Sequence, residues 1–412
     1  MRAPRGTRDL LPPESWAWEE VVGLAATIFR EAGYAPIVTP VFEHTEVFER
    51  GVGQSTEVVG KQMYTFRDRA DRSLTLRPEG TAPVMRAVLE HNLHRGALPV
   101  KLSYAGPMFR QERPQKGRYR QFFQVGIEAI GSDDPRVDAE VIEVGQRFYA
   151  EAGVEARLKL NSIGHLDPSC RLGYIDTLVA YLRSRTDDLA PEDRDRIDNN
   201  PLRTFDSKEE ATKMVMTDAP VITDHLCPSC AEHFEGVRRL LDSVGVGYDL
   251  EPALVRGLDY YTRTAFEWVA PGLGSQDAVG GGGRYDGLSE SLGGPPLPGI
   301  GIAPGLDRII LARTGLRSIP APQAYLVGVG EDAQREAFRL ATKLRSQGIA
   351  TEMDLLGRGL KGQMKDASRT GARWAVILGD DEVRDGTATV KNLERGEQDT
   401  VPIERVEELV RG

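Results

Sequence analysis

The residues best equipped for chemistry lie in FRQERPQKGRYRQFFQ, which runs from Phe109 to Gln124. Arg110, Arg113, Lys116, Arg118 and Arg120 stand there against the single acid Glu112, in a chain whose net charge is -10. A strand that delivers Arg110 beside a basic loop suits a site that holds a polyphosphate and stabilises charge growing on one phosphorus. A solvated charge run is the plainer alternative. Against it, Gln124 and Glu128 follow at even spacing, so on a strand their side chains share one face and can point into one pocket.

Four further segments offer ligand-binding groups. RGLDYYTRTAFE supplies Arg256, Tyr260 and Tyr261; an arginine there suits a carboxylate or phosphate, and a phenol suits a polar ring, although paired tyrosines also serve as core packing. GGGGRYDGL, which contains Tyr285, permits close backbone approach to a ligand. PGIGIAPGLDRII places Arg308 in the first turns of a helix. LRPEGT contributes Glu79 and Thr81, a carboxylate and a hydroxyl able to accept from an ammonium group. Neither G-x-G-x-x-G in a βαβ unit nor G-x-x-x-x-G-K-[ST] occurs, which argues against a dinucleotide fold or a P-loop NTPase. HLCPSCAEH groups His225, Cys227, Cys230 and His233, but this spacing is compressed for a zinc knuckle and AEHFEGVRRLL continues as a helix, so no metal site is expected.

The elements that must position these groups follow from periodicity. Helical spacing predicts helices over 15–32, 82–94, 134–152, 332–347 and 360–370, with Gly33 ending the first. VKLSYAGPMFR and FFQVGIEAIG read as an antiparallel hairpin with an oversized basic tip. YAPIVTPVFE, MYTFRD, SLTLRP and ARLKLNSIG also read as extended, with Pro40 suited to an edge or interface. Residues 170–247 read as a helical insert between two halves of one sheet. SIPAPQ is a linker, after which strand and helix alternate as in a small α/β domain.

Composition sets the outer bounds. The 412 residues, 40% hydrophobic and 28% charged, describe a multi-domain globular chain. No run approaches the ~18 apolar residues of a spanning helix, and the N-terminal segment lacks an apolar signal core, so no membrane partner and a cytoplasmic location are expected. Three cysteines give no disulfide framework. The acidic balance argues against nonspecific coating of nucleic acid.

In this order the segments resemble the histidyl-tRNA synthetases, a family of class II aminoacyl-tRNA synthetases, over nearly the whole chain. GYAPIVTPVFEHTEVFERGVG, FRQERPQKGRYRQFFQ and GIGIAPGLDR resemble the three class motifs; LVRGLDYYTRTAFE and GGGGRYDGL resemble the two histidine-specific signatures. The resemblance implies an α+β catalytic domain with a mostly antiparallel sheet and a helical insertion, plus a C-terminal α/β anticodon-binding domain. The corresponding boundaries are 1–165 and 249–317 for the catalytic core, 166–248 for the insertion, 318–323 for the linker and 324–412 for the anticodon-binding domain. It further implies ATP and Mg²⁺, L-histidine, histidine tRNA and a homodimer with Pro40 at its interface.

The residue roles implied by the resemblance agree with the chemistry above. Arg110 contacts the α-phosphate and Arg308 the γ-phosphate, with Glu112 and Arg118 completing the nucleotide grip. Glu79, Thr81 and Gln124 hold the α-amino group; Glu128 and Tyr261 hold the imidazole; Tyr260 and Tyr285 line the same pocket. Arg256 contacts the histidine carboxylate and the α-phosphate, so Arg110, Arg256 and Arg308 are the expected catalytic groups. Arg113 and Gln115 read the extra 5′ guanosine of the tRNA. Two departures are Asp307, where a glutamate is more usual and metal geometry is in question, and IDNNPLRTFDSKE in the insert. The competing reading is a noncatalytic histidine-sensing regulatory paralogue of ATP phosphoribosyltransferase, which characteristically lacks both the RGLDYY arginine signature and the C-terminal domain.

Overall fold

The computed structural model describes residues 1–53, 58–255, 258, 260–274, 277–314 and 321–411. The chain divides into two compact units, Met1–Leu316 and Arg317–Gly412. The first contains strands β1 (Ala35–Pro36), β2 (Phe42–His44), β3 (Tyr64–Arg67), β4 (Ser73–Leu76), β5 (Val100–Phe109), β6 (Gln121–Ile130), β7 (Arg157–Ser162), β8 (Asp249–Leu250), β9 (Thr262–Val269), β10 (Ala278–Arg284) and β11 (Gly299–Ile302).

One sheet runs β1-β5-β6-β11-β10-β9-β7-β8, antiparallel except at its two edge pairs, β1–β5 and β7–β8. A smaller antiparallel sheet has the strand order β2-β4-β3. The expected hairpin forms with unbroken register from Val100↔Ile130 to Phe109↔Gln121, and residues 110–120 make its tip. Alternation along β6 decides what each face does. Val125, Ile127 and Ala129 join the core beneath helices Glu14–Glu31 and Pro135–Glu151, which contribute Ile28, Phe29, Phe148 and Tyr149. Gln124 and Glu128 therefore belong to the opposite face.

The first helix stops where the sequence predicts: Gly33 takes φ +84, and Tyr34 N–H donates back to the Phe29 carbonyl at 2.9 Å. The helix predicted over 82–94 is split. It ends after Thr81–Glu90, because Asn92 adopts a left-handed φ of +53 before a short 3₁₀ turn at Leu93–Arg95.

The insert has its own core of Tyr174, Leu178, Leu182, Ile197, Met216 and Ile222, packed against Tyr261 and Ala265 beside the main sheet. Its last helix, Pro228–Ser243, behaves differently: Phe234, Val237 and Leu241 join the main core. A buried polar knot reinforces that joint. The Arg284 guanidinium donates from Nε to both Asp138 oxygens (3.0 and 2.8 Å) and from Nη1 to Asp286 Oδ1 and the Ser132 carbonyl (both 3.1 Å). His233 Nε2 lies 3.0 Å from the same Asp138 Oδ1, and Arg284 and Asp138 are fully buried.

The second unit holds β12 (Ala324–Val329), β13 (Thr351–Met353), β14 (Trp374–Gly379), β15 (Thr387–Asn392) and β16 (Gln398–Pro402), ordered β13-β12-β14-β15-β16. Its first three strands are parallel and alternate with helices Glu331–Ser346 and Leu360–Arg369, as expected. The antiparallel β15–β16 pair was not anticipated, since the QDTVP strand is largely exposed and has no apolar alternation to betray it. No helix among the described residues is long and apolar enough to cross a membrane.

Candidate active site

A cavity of about 220 Å³ opens on the Gln124 face of the sheet. It is lined by Glu79, Thr81 and Gln124, by Arg110, Glu112, Arg118 and Arg308, and by Tyr260 and Tyr261. Segments more than 200 residues apart thus meet at one place, as the sheet order β6-β11-β10-β9 requires.

One part of the wall is built of acceptors. The Glu79 carboxylate, only 4% exposed, accepts from Thr81 N–H (2.7 Å) and Ala82 N–H (3.0 Å) at the start of helix Thr81–Glu90. Burial nevertheless raises its pKa, outweighing those hydrogen bonds. Tyr260 O–H donates to Glu79 Oε2 at 3.4 Å. Gln124 Oε1 is buried without a hydrogen-bond partner among the described residues, an unsatisfied acceptor in the wall of a cavity.

Glu128 and Tyr285 were expected to line this pocket; neither is in its lining, and Glu128 adjoins it through Thr81. Thr81 Oγ1 donates to Glu128 Oε1 (2.8 Å), and Tyr285 O–H donates to Oε2 (2.6 Å). Tyr104 O–H reaches Oε1 at 3.4 Å. Burial drives the Glu128 carboxyl up to about 8, although these donors pull the other way. Tyr104 was missed because its period in β5 reads as ordinary core. Gly301 was missed too: a Cβ there would lie 1.8 Å from Glu128 Oε2, so the strand opposite must lack a side chain.

The other part of the wall is cationic. Arg110 donates from Nε to the Pro78 carbonyl (2.9 Å), and its guanidinium carbon lies 5.2 Å from the Phe122 ring centroid, which fixes the side chain without neutralising it. Arg118 Nη1 donates to Glu112 Oε2 at 3.3 Å; the same carboxylate lies 3.7 Å from Arg110 Nη1. Arg308 donates from Nε to the Ala278 carbonyl. Burial lowers its pKa and the neighbouring Arg118 charge lowers it further, outweighing the opposite pull of Asp277, Glu267 and Glu112. Arg113 and Gln115 are exposed on the hairpin tip, outside the cavity lining. Arg256 lies outside the described residues.

Three sequence readings change. Asp307 lines the cavity with both oxygens engaged: Oδ1 accepts from Arg8 Nη2 (2.8 Å) and Oδ2 from Phe123 N–H (3.1 Å), which ties the N-terminal segment to β6. In GGGGRYDGL, Gly280 and Gly282 are demanded by packing, since a Cβ would lie 2.3 Å from Tyr149 Oη and 2.0 Å from the Gly301 carbonyl. Only Gly280 and Gly281 reach the cavity. Within HLCPSCAEH, His225 packs on the Tyr174 ring (5.5 Å between centroids) and His233 serves Asp138, so neither histidine joins the two cysteines.

Comparison with known proteins gives a consistent set of matches. The family model described as histidyl-tRNA synthetase matches residues 6–168 and 187–309, and that described as anticodon binding domain matches 323–412. A histidine–tRNA ligase of Halothermothrix orenii is 50% identical over 97% of this chain and 96% of its own length. One of Moorella thermoacetica is 49% identical over 99% of this chain and 97% of its own. The crystal structure of apo S. aureus histidyl-tRNA synthetase superposes with TM-score 0.83 at 36% identity, covering 100% of both chains.

Proposed function

The chain belongs to the histidyl-tRNA synthetase family, and we propose how its own side chains divide the work of activating L-histidine with ATP and charging histidine tRNA. The observation that carries the proposal is a cavity with an acceptor end and an arginine end. Histidine in its zwitterionic form needs acceptors for its ammonium group and a cation for its carboxylate; ATP needs cations for its phosphates. One cavity offers both.

At the acceptor end, Glu79, Thr81 and the unpaired Gln124 Oε1 hold the α-ammonium group. Beside them Glu128, steadied by Tyr285 and Thr81, faces the imidazole, with Tyr261 near the second ring nitrogen. An imidazole has one donor and one acceptor when neutral, so a carboxyl and a phenol together select it over apolar side chains of similar size.

At the other end Arg110 holds the α-phosphate, Arg308 the γ-phosphate, and Arg118 with Glu112 the rest of the nucleotide. A histidine carboxylate oxygen attacks the α-phosphorus in line with the departing pyrophosphate, and the arginines stabilise the charge spreading over the phosphoryl oxygens. Arg256 is assigned the contact joining the histidine carboxylate to the α-phosphate. Mg²⁺, when bound, would draw charge from the phosphate oxygens. Glu112 and Glu267 stand in the wall and would hold it; Glu112 also accepts from Arg118, and both Asp307 oxygens accept, from Arg8 and Phe123 N–H. The 3′-terminal ribose of the tRNA then takes the histidyl group from the adenylate, and Arg113 and Gln115 read the extra 5′ guanosine.

The regulatory-paralogue reading is weaker, because the anticodon-binding match spans residues 323–412 and ligases align over nearly their full length. A homodimer is supported by apolar groups left open beside Pro40: Val38 is 93% exposed, and Phe42 and Phe66 are nearly half exposed. We place the protein in the cytoplasm.

End-specific variants test the division of labour. Arg308→Ala should raise the KM for ATP and lower kcat by about 10²–10³-fold while leaving the KM for histidine near normal. Gln124→Leu should do the reverse, raising the histidine KM with ATP binding little changed. If both variants perturbed the same substrate, the two-ended cavity would be wrong.

A further inference from the structure

Away from the cavity, four potential metal ligands from distant parts of the chain converge. His165 Nδ1 and the Sγ atoms of Cys170, Cys227 and Cys230 all lie within 4.8 Å of one another. We propose that these four residues bind a structural zinc ion that fastens both ends of the helical insert to the catalytic sheet.

The geometry suits zinc. With Zn–S near 2.3 Å and Zn–N near 2.0 Å, the ligand atoms of one histidine and three cysteines at the corners of a tetrahedron stand about 3.5–3.8 Å apart. His165 Nδ1 lies 3.0 Å from Cys230 Sγ and 3.7 Å from Cys227 Sγ, so only small shifts are needed. The three cysteines are free and buried, at 1%, 9% and 1% exposure. Three thiols gathered in a buried pocket with an imidazole make a soft, closed Cys₃His set, which selects Zn²⁺ over hard cations. Four protein ligands leave no position for water or substrate, so the role is structural.

The surrounding chain is shaped to deliver these atoms. His165 follows β7 directly, and Cys170 stands at the start of helix Arg171–Ser184. Between them Asp167 Oδ1 accepts from Ser169 N–H at 2.8 Å and closes the turn. Gly164 takes φ +61, and a Cβ there would lie 2.7 Å from Cys170 Sγ. Cys227 and Cys230 occupy the first turn of helix Pro228–Ser243, and Cys227 N–H donates to Cys170 Sγ at 3.5 Å. The ion would therefore close residues 171–226 into a loop anchored at one point, with metal binding contributing directly to the stability of the insert. The sequence concealed this site because two ligands are about sixty residues upstream of the Cys-x-x-Cys pair, while the nearby His225 and His233 are occupied elsewhere.

The test is metal analysis of the full-length protein, purified without chelator, with Co²⁺ exchange as a second readout. About one zinc per chain is expected. Co²⁺ substitution should give tetrahedral visible bands and a near-ultraviolet thiolate-to-metal charge-transfer band, and Cys230→Ser should weaken the latter by about one third or abolish metal binding. His165→Ala should lower zinc occupancy while leaving the three thiols titratable. A wild-type protein with less than about one zinc per ten chains after Zn²⁺ incubation and desalting would overturn the proposal. So would a disulfide between two of these cysteines in protein kept under reducing conditions, or full zinc retained by a Cys170→Ser, Cys227→Ser, Cys230→Ser triple variant.

Discussion

Glu128 carries the clearest electrostatic consequence. Its ordinary value is 4.5, and burial lifts the folded value to about 8. Between those limits the folded protein keeps a proton that the unfolded chain releases, so this group's contribution to stability falls as pH rises, and levels off above about 8. Glu128→Gln removes that dependence. In urea unfolding from about pH 5 to 8, the midpoint of the variant should gain steadily on that of the unchanged protein. A gap independent of pH would mean that Glu128 is not held neutral by the fold. Much at this scale was legible in advance: Glu79, Thr81, Gln124, Arg110, Arg118 and Arg308 meet as their residue types suggested. What escaped was the place of Glu128. Whether it lines the cavity or adjoins the lining through Thr81 depends on Tyr104 and Gly301, supplied by neighbouring strands, and no local pattern encodes that.

Elements set two further expectations. The tip of the β5–β6 hairpin carries two sets of residues: Arg110, Glu112 and Arg118 line the cavity, whereas Arg113 and Gln115 are exposed outside its lining. Arg113→Ala and Gln115→Ala should therefore reduce tRNA charging at least tenfold with little effect on histidine-dependent adenylate formation; equal losses in both assays would place the tip in the chemical step. The Arg284–Asp138–His233 knot joins β10, helix Pro135–Glu151 and helix Pro228–Ser243. Arg284→Met leaves Asp138 as a buried charge with only His233 beside it, and should cost about 3–5 kcal/mol. Adding Asp138→Leu should recover part of that loss, as judged by urea unfolding; an unchanged midpoint in Arg284→Met would show that the knot contributes nothing. Helices with strong apolar periodicity and the hairpin were readable from sequence. The β15–β16 pair was not, because both faces of β16 are nearly all polar or exposed. The motif GGGGRYDGL was read for its glycines as ligand space, yet most of that space is filled by Tyr149, Phe266 and the Gly301 carbonyl.

At the scale of the molecule, each unit has its own core, and the match of an anticodon-binding model to residues 323–412 gives the second a separate task. The insert is less separable than its composition suggested. Its final helix packs in the main core, and its two ends meet at His165, Cys170, Cys227 and Cys230. The first unit holds the cavity proposed to take an amino acid and a nucleotide end to end. Its most direct test is pyrophosphate exchange into ATP by the full chain, with each amino acid supplied singly and no tRNA present. Histidine alone should support exchange. No exchange with histidine, or equal exchange with another amino acid, would contradict the assignment of this cavity to histidine activation.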